Sequence, residues 1–212
     1  MIHPLRLLLP LLALSTAQLA VAQAPPPLAA PVHRAALLRL GLGSCLNGSG
    51  DYGVTKLQVE YAPQFGRHLR LGSRLALISG SEPLDFGHGY TVAQSYRALN
   101  VEQEAYWVPF GVNRALEFSV GVGAFGGYGS QKGIRQGGLR HIDPYGNFLP
   151  EPILEYEPLR ERGFHVGYIA SLNLDVALNQ ERTWRVGTRA SLQNDTDANI
   201  LPGIQFQLSR AW

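Results

Sequence analysis

The final segment of the sequence alternates between apolar and polar side chains. Ile204, Phe206 and Leu208 alternate with glutamine and serine residues, and the sequence stops on the aromatic residue Trp212. Successive side chains of a β-strand point to opposite faces, so this period of two predicts a strand with one apolar and one polar face. A chain that repeats such strands must fold so that each face meets a matching environment.

Seven further segments after residue 36 show the same alternation. Each is about 9 to 13 residues long, which is the length of a tilted strand that crosses a lipid bilayer. No run after residue 22 is apolar for about 18 residues, so no transmembrane helix is expected. Lipid cannot satisfy an open sheet edge, so strands that span a membrane must close into a barrel. The prediction is an all-β fold, an eight-stranded antiparallel up-and-down transmembrane β-barrel.

The connections between these segments alternate in length. Three are short and turn-like, whereas residues 80–98 and 127–163 are predicted to be long loops. Barrels of bacterial outer membranes place short turns in the periplasm and long loops outside. The loop 127–163 contains several aromatic and charged residues, and long loops with exposed aromatics are often functional. We expect it either to bind an unknown ligand or to be a solvated loop without a specific partner.

The first residues have the organisation of an export signal. A basic start is followed by an apolar run and by an Ala-Val-Ala cleavage motif at residues 20–22. We expect residues 1–22 to be a cleaved signal peptide, residues 23–34 a disordered lead-in rich in proline and alanine, and residues 35–212 the barrel. A lipoprotein cleavage box at Cys45, the only cysteine, is the less favoured alternative, because Arg39 interrupts the apolar run before it.

The composition argues against several partners and cofactors. Eighteen lysine and arginine residues against sixteen aspartate and glutamate residues leave the chain nearly neutral, which argues against nucleic acid or an anionic surface as the main partner. No group of His, Cys, Asp and Glu has the spacing of metal ligands. The glycine pattern at residues 121–126 lies inside a predicted strand with no helix after it, so it does not predict a dinucleotide site. No cofactor is expected.

The polar row of the strands is assigned to the barrel interior. This row is rich in glycine and serine, and an eight-stranded barrel is only just wide enough to hold side chains. The opposite assignment, with an apolar interior, describes a soluble lipocalin-like barrel. The predicted inner face carries six cations and five anions: Arg39, Lys56, Glu60, Arg70, Arg74, Glu102, Glu104, Glu117, Asp175, Arg185 and Arg189. Buried unpaired charges are costly, so these groups should pair and plug the lumen; a gated or proton-conducting path is the alternative.

Aromatic residues on the apolar row fall at one predicted rim of the barrel. Tyr61 and Trp107 end their strands, Trp184 begins one, and Trp212 ends the last. Tryptophan and tyrosine concentrate at membrane interfaces, where one side of the ring is apolar and the other wet. We therefore expect these four residues to form an aromatic girdle, with chance placement or packing of a barrel bottom as the alternative.

The histidines offer only weak candidates for catalysis. His165 and Ser171 share one predicted strand and both point inward, while His141 lies near Asp143 in the long loop. A triad is recognised by the geometry of three groups, and none of these sets has a persuasive third member. We expect no enzyme and no catalytic residue; the alternative functions are a barrel enzyme acting on lipid A or surface substrates, and a narrow pore.

The strand pattern resembles the small eight-stranded outer-membrane proteins, which include the membrane domain of outer-membrane protein A. In that family the terminal strand carries an insertion signal of a glycine, alternating hydrophobics and a final aromatic, matched here by Gly203, Phe206, Leu208 and Trp212. Arg210 and Leu201 depart from the family pattern. The resemblance implies a monomer in the outer membrane of a Gram-negative bacterium, in contact with outer-membrane lipid, lipopolysaccharide and the barrel-insertion machinery. It implies a non-enzymatic role in membrane integrity, surface recognition or adhesion.

Overall fold

The fold was analysed in a computed structural model, which describes residues 36–47, 52–196 and 200–212. The expected signal peptide and lead-in, residues 1–34, lie outside the described residues. The described part is built of β-strands joined by turns, in the order β1 (Leu37–Asn47), β2 (Tyr52–Ala62), β3 (Gln64–Phe65), β4 (Leu69–Asp85), β5 (Thr91–Trp107), β6 (Leu116–Ile142), β7 (Phe148–Ala177), β8 (Trp184–Asp195) and β9 (Ile200–Ala211). Strand β3 is a two-residue segment of the turn between β2 and β4.

The remaining eight strands close into a barrel with every neighbouring pair antiparallel. Strand β1 pairs with β2 on one side and with β9 on the other, so that Leu40 lies opposite both Val59 and Leu208. The β2–β4 pairing completes the ring. This confirms the predicted eight-stranded up-and-down fold.

Residues 80–98 and 127–163 were predicted as loops, and that prediction is wrong. Strands β4 and β5 each have 17 residues, and β6 and β7 have 27 and 30, so the predicted length of 9 to 13 residues fails for these four. Only residues 143–147 connect β6 to β7. The long connections are two hairpins that continue the barrel strands beyond its wall.

The sequence pattern missed these hairpins for a physical reason. Hydrophobic alternation marks a strand only where its two faces meet different environments. In the upper part of β6 and β7 both faces are largely exposed, so the sequence there has no period of two. The pairing nevertheless extends from Gly133 opposite Leu159 to Ile142 opposite Phe148, with register shifts at residues 134–136 and 140–142.

The barrel has its polarity reversed relative to a soluble protein. In β1, leucines 38, 40 and 42 are 38–56 % exposed, whereas Arg39 is 1 % exposed. The same arrangement holds in β9, where Phe206 points outward and Gln207 inward. The wall thus presents a continuous apolar surface, and the core of the molecule is polar. This excludes the lipocalin-like alternative.

Candidate functional site: the charged lumen and the projecting hairpin

All eleven charged residues predicted for the inner face are buried in the lumen, with at most 3 % of each side chain exposed. They come from seven of the eight barrel strands, because the inward positions of neighbouring strands share a row. Arg39 lies opposite Glu60, and Arg74 lies opposite both Glu60 and Glu102. Strand register therefore places opposite charges side by side.

The centre of the lumen is organised around Tyr106, which is fully buried. Its hydroxyl donates a hydrogen bond to Glu60 at 2.7 Å and accepts one from Arg189 at 3.0 Å. Arg189 also pairs with Glu104 at 2.5 Å, and Arg74 pairs with Glu104 at 3.1 Å. Tyr106 thus lies among two arginines and two glutamates: Arg74 pairs with both carboxylates, and Arg189 pairs with Glu104.

Arg74 has the largest set of anionic partners in the described lumen. It pairs with Glu60 at 3.4 Å, with Glu104 and with Glu102, and it donates to the Tyr106 hydroxyl. Glu102 in turn accepts from Lys56 at 2.5 Å. Arg74 therefore links three carboxylates that would otherwise face one another across a narrow space.

A separate group lies nearer the short turns. Arg70 binds Glu117 through two hydrogen bonds of 3.0 and 3.2 Å, and Arg185 reaches the same carboxylate at 3.2 Å. The backbone N–H of Asn113 also donates to Glu117 at 2.9 Å, which ties the turn after β5 to the lumen. On another side of the lumen, Arg39 pairs with Asp175 at 2.8 Å.

Apolar residues lie beyond the charges at both ends of the lumen. Toward the long hairpins a buried cluster contains Cys45, Tyr52, Val54, Ile78, Tyr96, Ala98 and Leu201. Toward the short turns a smaller cluster contains Leu37, Ala62 and Ala211. Leu201, which departs from the family's terminal pattern, is thereby explained as an inward-facing member of the first cluster.

Sequence reasoning missed Tyr106 as the centre of the network. It lies on the polar row of a strand in which the alternation of the sequence is weak. The pairing of β5 with β6 brings the wide ring directly opposite Gly121, a register that the sequence pattern does not specify. A Cβ at Gly121 would lie 2.7 Å from that ring, so the missing side chain makes room for it. An aromatic opposite a glycine on an inward row is a recognisable pairing.

The catalytic candidates are not brought together. Ser171 donates to Glu104, whereas His165 contacts Asn100 at 2.8 Å and lies 3.6 Å from Asp195. His141 stacks edge-on with His88 at 6.4 Å between ring centres.

Among the described residues no group of three His, Cys, Asp or Glu side chains is placed to hold a metal ion. In the same part of the chain, no helix is long and apolar enough to cross a membrane.

The four residues predicted as an aromatic girdle all point outward. Their side chains are 43–60 % exposed. Two lie at the ends of strands β2 and β5, one begins β8 and one follows β9: Tyr61, Trp107, Trp184 and Trp212. The guanidinium of Arg210 lies 5.5 Å from the centre of the Trp184 ring. This contact gives Arg210, which departs from the family's terminal pattern, a partner on the outer wall.

The residues predicted as an insertion signal lie on strand β9 and just after it. Phe206 and Leu208 are exposed on the outer wall, and Trp212 exchanges two backbone hydrogen bonds with Ala36. Gly203 lies opposite Cys45, and a Cβ there would lie 2.4 Å from the Cys45 sulfur. These residues therefore form the seam at which β9 closes on β1.

A second set of outward aromatics lies at the opposite end of the wall, and sequence analysis did not identify it. Tyr128 and Phe164 are directly paired across β6 and β7, with ring centres 5.2 Å apart, and both are exposed. Tyr168 lies four residues further along β7 on the same face, and its hydroxyl accepts a hydrogen bond from Asn194 at 2.7 Å. Tyr128 was assigned to a loop, which hid its pairing with Phe164.

The β6–β7 hairpin rises beyond its neighbours and ends in a structured turn. Strand β5 pairs with β6 only as far as Lys132, and above it β6 and β7 pair only with each other in the described structure. At the tip, the Asp143 carboxylate accepts hydrogen bonds from the Tyr145 and Asn147 N–H groups, both at 2.8 Å. The side chain of Asn147 adds a third at 3.0 Å, and these bonds hold the pKa of the Asp143 carboxyl below its ordinary value.

These features define the class of the protein. A closed barrel with a charged interior, an apolar outer wall and aromatic residues at both ends of that wall is stable only when lipid surrounds it. The protein is an eight-stranded transmembrane β-barrel.

Comparisons with known proteins find structural likenesses at low similarity. The structure resembles Ail, the attachment invasion locus protein of Yersinia pestis, solved in complex with the heparin analogue sucrose octasulfate (TM-score 0.49, 9% identity, covering 84% of this chain and 97% of Ail). It also resembles Neisserial surface protein A (TM-score 0.49, 7% identity, covering 83% of this chain and 95% of that protein). No family model and no curated protein matches the chain. The polarity of the barrel, and not these likenesses, identifies it as a membrane-spanning fold.

Proposed function

We propose that the protein is a non-enzymatic outer-membrane barrel whose lumen is plugged by its salt-bridged network and whose β6–β7 hairpin recognises a partner at the cell surface. The expected export signal at residues 1–22 and the insertion signal on β9 would bring the chain to the outer membrane. The girdle of Tyr61, Trp107, Trp184 and Trp212 would then lie at the periplasmic interface. A monomer suffices, because the barrel closes within one chain.

The exposed tip of the hairpin is the observation that carries this proposal. Tyr145 is 90 % exposed and Phe148 is 83 % exposed, yet the turn between them is fixed by the hydrogen bonds of Asp143. Large aromatics that stay exposed on an ordered turn are costly in water and favour binding, since little conformational entropy is lost on contact. Aromatic residues are also enriched among those that dominate interface energies.

The side walls of the hairpin support the same interpretation. Arg135 pairs with Glu161 at 2.6 Å, and Arg140 pairs with Glu155 at 2.8 Å, so charges on one face of the ribbon are partly matched. The contact between His88 and His141 joins the β4–β5 turn to β6. These contacts hold the ribbon as a defined surface and not as a freely moving loop.

The double substitution Y145S/F148S is expected to reduce adhesion several-fold, because it removes the two most exposed aromatics of the tip without touching the barrel. The measurement is adhesion of a non-adherent Gram-negative laboratory strain, with and without the protein, to a cultured epithelial monolayer. F110S is the matched control, since Phe110 is a 63 % exposed aromatic in a turn at the opposite end. Equal adhesion of wild type, variant and empty strain would contradict recognition by this hairpin.

One observation favours a narrow pore as a second candidate function. On one row of the lumen Gln58 lies opposite Gly41, which lies opposite Gln207, and both side-chain amides lack a hydrogen-bond partner among the described residues. Polar groups beside a small residue are the kind of lining a hydrated path requires. Single-channel recording in planar bilayers decides: we expect no reproducible conductance steps from the wild type, and regular steps would favour the pore.

A further inference from the structure

Four basic side chains lie together on the outward face of strands β5, β6 and β7, directly above the apolar wall. Strand register places Arg97 opposite Ser130 and Ser130 opposite Arg162 in one row. In the next row up, Lys132 lies opposite Arg160. Neighbouring strands are about 4.8 Å apart and alternate residues of one strand about 7 Å apart, so the four cations occupy one small surface. We call this surface the basic patch.

The row immediately below the basic patch is the last apolar row of the wall. It contains Leu99 opposite Tyr128 and Tyr128 opposite Phe164, all of them outward-facing and exposed. The outward side chains therefore change from apolar and aromatic to cationic between two successive rows of the sheet. An outward row of aromatics followed by a row of cations is the order of groups found from the acyl region to the headgroup region of a bilayer.

The height of the basic patch matches the thickness of the membrane. Trp107, in the lower girdle, and Arg97 lie on the same strand, ten positions apart. At about 3.3 Å per residue and a tilt of about 40°, they are separated by about 25 Å along the barrel axis. The apolar band of an outer-membrane barrel is also about 25 Å tall. When the girdle lies at the periplasmic interface, the basic patch lies at the outer headgroups.

None of the four cations has an anionic partner within the described residues. Each is exposed, and no ion pair involves Arg97, Lys132, Arg160 or Arg162. The carboxylates of the hairpin lie elsewhere: Glu161 lies opposite Gln131 on the other face, where Arg135 pairs with it. The arginines of one face are thus neutralised within the ribbon, and those of the outward face are left for a ligand.

We propose that the basic patch binds the phosphate groups of an anionic glycolipid in the outer leaflet, of the lipid A type. Arginine matches phosphate oxygens with paired N–H donors and lysine adds a point charge. The acyl chains of the same molecule would lie on the apolar wall below, against Leu99, Tyr128 and Phe164. This assignment rests on the membrane orientation in the proposed function and gives that function a lipid partner.

The continuity between the patch and the apolar wall selects a lipid over a soluble polyanion. A sulfated polysaccharide would use the cations, but it has no acyl chains to cover the apolar wall below them. A phosphorylated lipid uses both surfaces at once, and each basic group near an anionic membrane surface adds to the attraction. Binding to soluble sulfated oligosaccharide is therefore an outcome that the experiment must separate.

The test compares the wild type with R97Q/K132Q/R160Q/R162Q, both refolded in zwitterionic detergent micelles. The probe is fluorescent diphosphorylated lipid A, with a dephosphorylated form of the same lipid and a soluble sulfated oligosaccharide as competitors. We expect the variant to bind at least about tenfold more weakly, and the wild type to weaken as salt is raised. R135Q/R140Q is the matched control, because it removes two cations from the same hairpin outside the basic patch; it should bind like the wild type.

Three outcomes would overturn the proposal. The first is equal affinity of the wild type and the fourfold variant for lipid A. The second is equal affinity of the wild type for the phosphorylated and dephosphorylated lipids. The third is a variant that loses affinity only for the sulfated oligosaccharide. Heat-modifiable gel mobility and quenching of tryptophan fluorescence by brominated lipid are measured on every protein. Failure of these two measurements would contradict the membrane-embedded barrel of the proposed function, whereas success with unchanged lipid A affinity would contradict only the basic patch.

Discussion

The substitution Arg74→Met is expected to lower the free energy of unfolding by about 3 to 5 kcal/mol, the range for removing one partner from a buried ion pair. Arg74 lies among Glu60, Glu102 and Glu104, and all three carboxylates are buried. Methionine fills much of the volume of the arginine side chain but carries no positive charge. The three carboxylates then repel one another without the cation that links them. The measurement is urea unfolding of the protein in lipid vesicles, followed by tryptophan fluorescence.

Arg135→Met is the matched control for this experiment. Arg135 makes the same type of ion pair, with Glu157 and Glu161, but its side chain is 55 % exposed. Exposed pairs contribute at most about 1 kcal/mol, so this variant should unfold almost like the wild type. A loss below about 1 kcal/mol for Arg74→Met would show that water reaches the carboxylates freely, and would favour the pore over the plugged lumen.

Placing an alanine at Gly123 is expected to destabilise the barrel by about 3 kcal/mol, at the upper end of the cost of overpacking. A Cβ at this position would lie 2.0 Å from the carbonyl oxygen of Gln103 and 2.7 Å from the Cα of Glu104. Both are backbone atoms of β5, so they cannot move aside without opening the β5–β6 ladder. The measurement is the fraction of heat-modifiable folded protein and its urea midpoint.

Gly163→Ala is the control, since this glycine also lies in a strand of the same hairpin but has nothing within 4 Å of an added Cβ. It should leave the midpoint unchanged within about 0.5 kcal/mol, the usual limit for a neutral surface change. A Gly123→Ala protein that folds as well as this control would contradict the close approach of β5 and β6.

The sequence predicted most about the protein where lipid and lumen impose opposite demands. Leu40 and Arg39 are adjacent in the chain, and one is exposed to lipid while the other is buried among charges. That contrast produces the period of two, so both the strands and the inward position of each charged residue could be predicted. Above the wall the contrast disappears, and residues 127–163 were predicted to be a loop although most of them are paired strand.

The tertiary structure alone decided which charges meet and which side chains share a surface. No pattern in the sequence indicates that Tyr106 lies between Arg189 and Glu60, because these residues come from three strands whose offsets are set by barrel closure. The basic patch has the same origin, since Arg97 and Arg162 are far apart in the chain and meet through the register of β6. Within a single strand, the alternation of apolar and polar residues determines which way each side chain points. Hydrogen bonding between strands determines which side chains are neighbours, and only the closed barrel specifies that.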